Sequence, residues 1–297
     1  MDFDHDGAAE FVVIGATGEL VVASAATGGE VESTTHVEVG WGGLSRCSSD
    51  DLVFYRASER WWLWRFADAR LDAVAQGQSS ASFGCFDLGD GADTVVEIDD
   101  DSLRVGSISI DLELLPLEDP ASSFVVRPED DSGERFSLFT IGLSERVYVA
   151  SIDLAAPEVS AKATWVWGPT IIHALAVVGR DLVVAGPVSL DAGELAIVRD
   201  VDPSASDTWQ PERIPLPWWP RQLLVAQLDD DEEPELVVAP LPISAIALVG
   251  VGAPQTVQML DLDFEGVDLA TGDVDGDGKH EIFAIDPREE RIVEIAM

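Results

Sequence analysis

Residues 273–286 read DVDGDGKHEIFAID, a loop dense in carboxylate and glycine that runs straight into a segment of β-formers. Asp273, Asp275, Asp277 and Glu281 take the first, third, fifth and ninth places of the loop, and Gly278 takes the sixth. Alternate carboxylates in a tight loop converge on one hard cation, and the glycine lets the chain bend so that the next carbonyl can face it as well. At the other end of the chain DFDHDGAAE repeats the pattern with Asp2, Asp4, Asp6, Gly7 and Glu10, and FVVIG follows it in the same phase. Composition alone predicts about 0.006 occurrences of D-x-D-x-D-G-x-x-[DE] in a chain of this length, so the two present are a signal. Calcium, which takes six to eight oxygen ligands, is the natural occupant, because the octahedral demand of magnesium is stricter. An EF-hand would need Glu at the twelfth place and flanking helices. Val13 and Ala284 stand there, and the flanks are β-branched.

The run after each loop has many companions. EFVVIG (10–15), ELVVAS (19–24), DLVFYR (51–56), TVVEID (94–99), RVYVAS (146–151), DLVVAG (181–186), ELVVAP (235–240) and EIFAID (281–286) share one grammar. An acidic or polar residue precedes three or four apolar, mostly β-branched or aromatic residues, and a turn follows. No segment sustains a 3.6-residue period, so the chain is predicted to be all-β. The acidic residues that open one strand per unit, Glu10, Asp51, Asp93, Glu134, Asp181, Glu235 and Glu281, recur at intervals of 41, 42, 41, 47, 54 and 46 residues. Glu134, in the loop EDDSGERFSLFTIG, fits most loosely. A period of about 40 to 50 residues in an all-β chain is that of four-stranded propeller blades.

The expectation is therefore one β-propeller domain over residues 1–297, with seven blades of four-stranded antiparallel sheet at approximately 1–40, 41–80, 81–119, 120–168, 169–219, 220–266 and 267–297. The first and last blades are incomplete: the first unit begins inside its acidic loop and the last stops at RIVEIAM, about two strands short of a full ring. Either residues upstream complete the first blade or the terminal pieces combine into one irregular blade. MDFDHDGAAE has no basic segment and no apolar h-region, as expected of a processed or truncated N-terminus.

Seventeen Lys and Arg stand against 56 Asp and Glu, a formal charge of −39. A hydrophobic fraction of 46% beside a charged fraction of 25% still describes a chain that folds. The charge repels phosphate, which argues against nucleic acid and anionic membrane surfaces and favours cations, basic proteins or neutral glycans. No stretch approaches the roughly 20 apolar residues of a membrane span. The few lysines and abundant Ala and Asp suggest a GC-rich bacterial genome or a salt-adapted one. Cys47 and Cys85 exclude a disulfide framework and any zinc motif of paired cysteines. They lie about one repeat apart, near the ends of inner strands, so a disulfide and two buried thiols are both open.

These residues resemble the FG-GAP or VCBS repeats of integrin α-subunit-type β-propellers. The resemblance implies that each acidic loop joins the two innermost strands of a blade and holds calcium at positions 1, 3, 5, 7 and 9, the seventh through a carbonyl. It assigns Asp2, Asp4, Asp6, the Ala8 carbonyl and Glu10 to one ion, and Asp273, Asp275, Asp277, the Lys279 carbonyl and Glu281 to another. QLDDDEEPE is a partial match and a third candidate, with Gln227, Asp229, Asp231, Glu233 and Glu235 in the five places and Glu232 where the glycine should be. FDLGDGAD keeps Asp87, Asp90 and Asp93 but is shortened, while SSDDL and VGRDL have lost the loop. Calcium is read as structural: it reverses the repulsion among the gathered carboxylates. Such loops fit millimolar calcium, so an extracellular, cell-surface or periplasmic location is expected.

In RWWLWRF, alternation puts Trp62 and Trp64 on one face and Trp61 on the other, as core packing requires. In PLPWWPRQ, Trp218 and Trp219 sit in a connection, where they either rigidify the loop against proline or stack on a ligand. His5 and His280 fall at outward places of the loops and are read as solvated; His36 and His173 are scattered. No nucleophile elbow, H-E-x-x-H or phosphate-cradling loop occurs, so an enzyme is not expected. The functional expectation is an exported calcium-stabilised module for protein interaction or adhesion, a monomer with an unidentified protein or glycan ligand. A lectin and a polysaccharide-degrading enzyme are the alternatives.

Overall fold

The computed structural model describes residues 10–14, 19–24, 30–36, 44–47, 52–57, 60–67, 70–78, 82–91, 93–98, 102–112, 124–142, 146–166, 171–204, 209–231, 233–252 and 256–296. They form twenty-six strands and no α-helix. The strands make seven antiparallel sheets in chain order. The first holds β1 (Glu10–Ile14), β2 (Glu19–Ser24) and β3 (Glu30–His36). The second holds β4 (Leu44–Arg46), β5 (Leu52–Ala57), β6 (Arg60–Ala67) and β7 (Arg70–Gln78), and the third holds β8 (Ser82–Asp87), β9 (Asp93–Ile98), β10 (Ser102–Val105) and β11 (Ile108–Asp111). The fourth holds β12 (Phe124–Pro128), β13 (Arg135–Gly142), β14 (Arg146–Asp153) and β15 (Glu158–Val166). The fifth holds β16 (Ala174–Val178), β17 (Asp181–Pro187), β18 (Gly193–Val198) and β19 (Pro211–Leu216). The sixth holds β20 (Gln222–Ala226), β21 (Glu235–Ala239), β22 (Ile243–Gly250) and β23 (Val257–Gly266), and the seventh β24 (Leu269–Gly272), β25 (Glu281–Asp286) and β26 (Arg291–Ile295).

Every sheet is a simple meander, with each strand hydrogen-bonded to the next in sequence. Five have four strands, and the first and last have three. The acidic residues of the repeat stand at or one place before a strand start: Glu10, Asp93, Asp181, Glu235 and Glu281 open β1, β9, β17, β21 and β25, and Asp51 and Glu134 precede β5 and β13. A four-stranded meander has two ends. One carries the first and third hairpins; the other carries the second hairpin and the connection arriving from the preceding sheet. The acidic loops lie at the first kind of end.

The chain divides into two compact units: Met1–Leu143 with Tyr148–Lys162 and Val274–Gly276, and Ser144–Val147 with Ala163–Asp273 and Asp277–Met297. In the first unit β4 and β12 each lie beside β8. Val96, Ile98, Leu103 and Val105 of the third sheet pack on Phe136, Leu138, Tyr148 and Ile152 of the fourth. Cys47 and Cys85, both buried, are joined in a disulfide that ties the second sheet to the third. Trp62 and Trp64 are half-buried, and the side chain of Trp61 lies outside the described residues.

In the second unit β16 and β24 flank β20. The strand period of two explains its core. From β21, Leu236 and Val238 join Val183, Ala185, Leu195 and Ile197 of the fifth sheet. Val237 and Ala239 face the opposite way and join Leu269, Ile282 and Ala284 of the seventh. Both faces of β21 are thus spent on neighbours, so it reads as a continuous run of Leu, Val and Ala, whereas the outer strand β23, VQMLDLDFEG, alternates with polar residues.

Two outcomes test this packing. Leu236→Ala, at a fully buried position, lowers unfolding free energy by about 2–5 kcal/mol in denaturant titration. Replacing both cysteines by Ala removes a cross-link spanning 38 residues and costs up to about 4 kcal/mol in the same assay.

Candidate functional site

The seventh-sheet loop leaves β24 at Gly272 and enters β25 at its ladder partner Glu281. Between them, one carboxylate oxygen from each of Asp273, Asp275 and Asp277 lies within 4.8 Å of the other two. Gly278 sits at φ +90, which L side chains rarely adopt, and its N–H donates to Asp273 Oδ2 at 2.9 Å. The Lys279 N–H donates to Asp277 Oδ1 at 2.8 Å. Calcium–oxygen distances of about 2.3–2.6 Å place opposite ligands about 5 Å apart, the spread these oxygens already have. Glu281 opens β25 outside this group of three.

The sixth-sheet loop brings Asp229, Asp231 and Glu235 equally close, within 4.8 Å. Gln227, in the first place, is used internally: its Nε2 donates to the carbonyls of Asp229, at 3.2 Å, and Asp231. The Asp231 N–H donates to Asp229 Oδ1 at 2.9 Å, and the Glu233 N–H to Asp231 Oδ1 at 2.8 Å. Glu232 lies outside the described residues. Glu235 accepts from the Leu228 N–H at 2.8 Å. Burial first, and then the charges of Asp229 and Asp231, push its carboxyl above the usual range, against the lowering effect of that hydrogen bond. Each of these forces would be relieved by a cation.

The two loops are tied to each other, which no local motif announces. The His280 N–H donates to the Gln227 carbonyl at 2.6 Å, and Lys279 Nζ pairs with Asp230 at 3.0 Å. His280 is half-buried with its Nδ1 buried, contrary to the solvated position expected, because the backbone pairing draws it against the neighbouring loop. Asp2, Asp4, Asp6 and Ala8 of the first loop, with His5, lie outside the described residues; Glu10 opens β1.

Where the carboxylate pattern is lost, a guanidinium stands in. In the fourth sheet Arg135 donates through Nε to Asp130 at 2.8 Å. Hydrogen bonds from Ser132, and then Arg135, hold the Asp130 carboxyl below its ordinary range. In the fifth, Arg199 bridges Asp181 at 2.6 Å and Glu212 at 2.9 Å. In the third, Asp87 caps its own loop, accepting from the N–H groups of Gly89 and Gly91 at 2.7 and 3.0 Å. Asp93 approaches Cys47 and Cys85, whose sulfurs are already bonded to each other.

At the opposite end of the sheets, Trp218 and Trp219 are each half-buried. Trp218 packs on the core between the fifth and sixth sheets. Trp219 Nε1 donates to the Ser189 carbonyl at 2.6 Å, and its ring lies 6.2 Å from that of His173 and 5.9 Å from the Arg221 guanidinium. His173 Nδ1 meets the Pro220 carbonyl at 2.9 Å. Desolvation lowers the pKa of His173, with Arg221 adding to the effect and the Pro220 hydrogen bond opposing it. The connector is seated on Gly193, where an added Cβ would stand 2.3 Å from Pro220 Cδ and 2.6 Å from the Trp218 carbonyl oxygen. Gly193→Ala therefore displaces the connector and costs about 1–3 kcal/mol of unfolding free energy, with a changed tryptophan emission reporting the displacement.

No protein-family model matches this chain, and no curated protein does. Solved structures do. BBS1N, solved in complex with ARL6DN, aligns over 100% of this chain and 89% of its own with a TM-score of 0.69 at 11% identity. The β-propeller domain of Cps50 (Swd1) from Myceliophteria thermophila aligns over 99% and 98% with a TM-score of 0.60 at 15% identity. Sqt1 of Saccharomyces cerevisiae aligns over 99% and 83% with a TM-score of 0.64 at 13% identity. The fold is a β-propeller, and its seven sheets are the blades.

Proposed function

We propose that this chain is an exported β-propeller of the FG-GAP or VCBS kind, stabilised by calcium and serving as a protein-interaction or adhesion module rather than an enzyme. The observation that carries the reading is the convergence of Asp273, Asp275 and Asp277 within 4.8 Å, on oxygen donors only. Asp229, Asp231 and Glu235 support a second ion in the next blade, and the spacing of Asp2, Asp4, Asp6 and Glu10 a third. The role is structural, because the loops join adjacent strands of a blade and equivalent loops in other blades use arginine for the same purpose. The Cys47–Cys85 disulfide favours an oxidising compartment, where calcium is also plentiful. A propeller scaffold supports many roles. Protein interaction is favoured here by BBS1N, solved with a protein partner, and by the packing of Trp218 against the core between the fifth and sixth blades.

Metal-stripped protein melts higher by about 5 °C per occupied site on adding millimolar calcium, and less with magnesium. Asp275→Ala with Asp277→Ala reduces the shift by one site's share, while Asp130→Ala, in a loop held by Arg135, leaves it unchanged. Differential scanning calorimetry reads all three, and the absence of any calcium-selective shift would sink the calcium reading.

A further inference from the structure

Between residues 171 and 296, each basic side chain except one lies within 3.6 Å of a carboxylate among the described residues. The exception is Arg221, exposed and held over the ring of Trp219 at 5.9 Å. Its position is also fixed: the Arg221 N–H donates to the Ala239 carbonyl at 2.8 Å, and Trp219 is pinned through the Ser189 carbonyl.

Exposed aliphatic side chains stand on the neighbouring connections at the same end of these blades. Leu190, 92% exposed, follows the residue that holds Trp219. Ile171, 67% exposed, lies two residues before His173, whose ring meets the Pro220 carbonyl. Leu241, 56% exposed, lies two residues after the carbonyl that holds Arg221. All three lie at the end of the fifth and sixth blades that carries the second hairpins and the incoming connections, opposite the acidic loops. Arginine and tryptophan are among the residue types that dominate interface hot spots, and exposed aliphatics beside them can exclude water from the contact. A guanidinium without a partner of its own complements one carboxylate.

We infer that Arg221, Trp219, Leu190, Ile171 and Leu241 form a docking surface for a peptide segment of another protein that presents a single carboxylate flanked by aliphatic side chains. The inference rests on the interaction-module reading and names its site and partner. The net charge of the chain repels a polyacidic partner, so the recognised segment belongs to a neutral or basic protein; distant charges are screened beyond about 8 Å at physiological salt, and the contact at Arg221 is local.

The test is selection of a random dodecapeptide display library on the full chain in calcium buffer, followed by binding measurements with the enriched peptides. Enriched sequences carry one Asp or Glu between Leu, Ile or Val. Their affinity falls at least tenfold with Arg221→Gln, with Leu190→Asp, and when the peptide's carboxylate is replaced by the amide. Both substituted side chains are exposed, and unchanged melting temperatures confirm that the variants fold. Enrichment of basic or carboxylate-free peptides, or of peptides indifferent to both variants, overturns this site while leaving the interaction-module reading standing. Failure to enrich any sequence overturns the site and counts against that reading too, whereas the calcium shift in melting temperature stands apart from either result.

Discussion

The sixth sheet of this molecule has to bury both faces of its inner strands against neighbours. In β21 the alternation of side chains sends Leu236 and Val238 to the fifth blade and Val237 and Ala239 to the seventh, and all four are fully buried. Such a strand has no solvent face on which to carry charge. A chain with 56 acidic residues must then put most of its charge where strands end or at sheet edges, which is where the carboxylate loops stand. The acidity of the loops is in this sense a consequence of the way the blades stack.

Gathering carboxylates at one end of the sheets creates repulsion that the fold relieves in more than one way. The fourth and fifth blades bring a guanidinium: Arg135 reaches back to Asp130, and Arg199 clasps Asp181 and Glu212. The sixth and seventh blades instead converge three carboxylates each within 4.8 Å, an arrangement that a divalent cation would complete. Lys279 and the His280 N–H lace these two loops together, so electrostatic strain in one is felt by the other. The opposite end of the same sheets follows another rule. There the connector between the fifth and sixth blades is seated by aromatic packing, with the Pro220 ring against Gly193 and the Arg221 guanidinium over the Trp219 ring.

Much of this could be read along the chain because its causes are local. A strand needs only its own alternation and its bounding turns, so the blades announced themselves through runs such as ELVVAP and EIFAID. An acidic loop needs carboxylates at alternate places and a glycine where φ turns positive, so DVDGDGKHE could be read as a cation loop, and Gly278 adopts φ +90 as that reading requires. The partial loop QLDDDEEPE was legible in the same way, although Gln227 turned out to clamp the loop from within instead of joining the carboxylates.

The strand class, the repeat and the spacing of the loop carboxylates are all properties of neighbouring residues, and the chain alone shows them. Only the tertiary structure decided which distant groups meet. It chose the Cys47–Cys85 disulfide over two thiols and joined Trp219 to the Ser189 carbonyl thirty residues away. It brought Arg199 back onto Asp181 across the hairpin, and it set the Arg221 guanidinium over the Trp219 ring, with no carboxylate within ion-pair distance among the described residues. These pairings depend on how hairpins project from packed sheets, and no spacing along the chain encodes a distance through space.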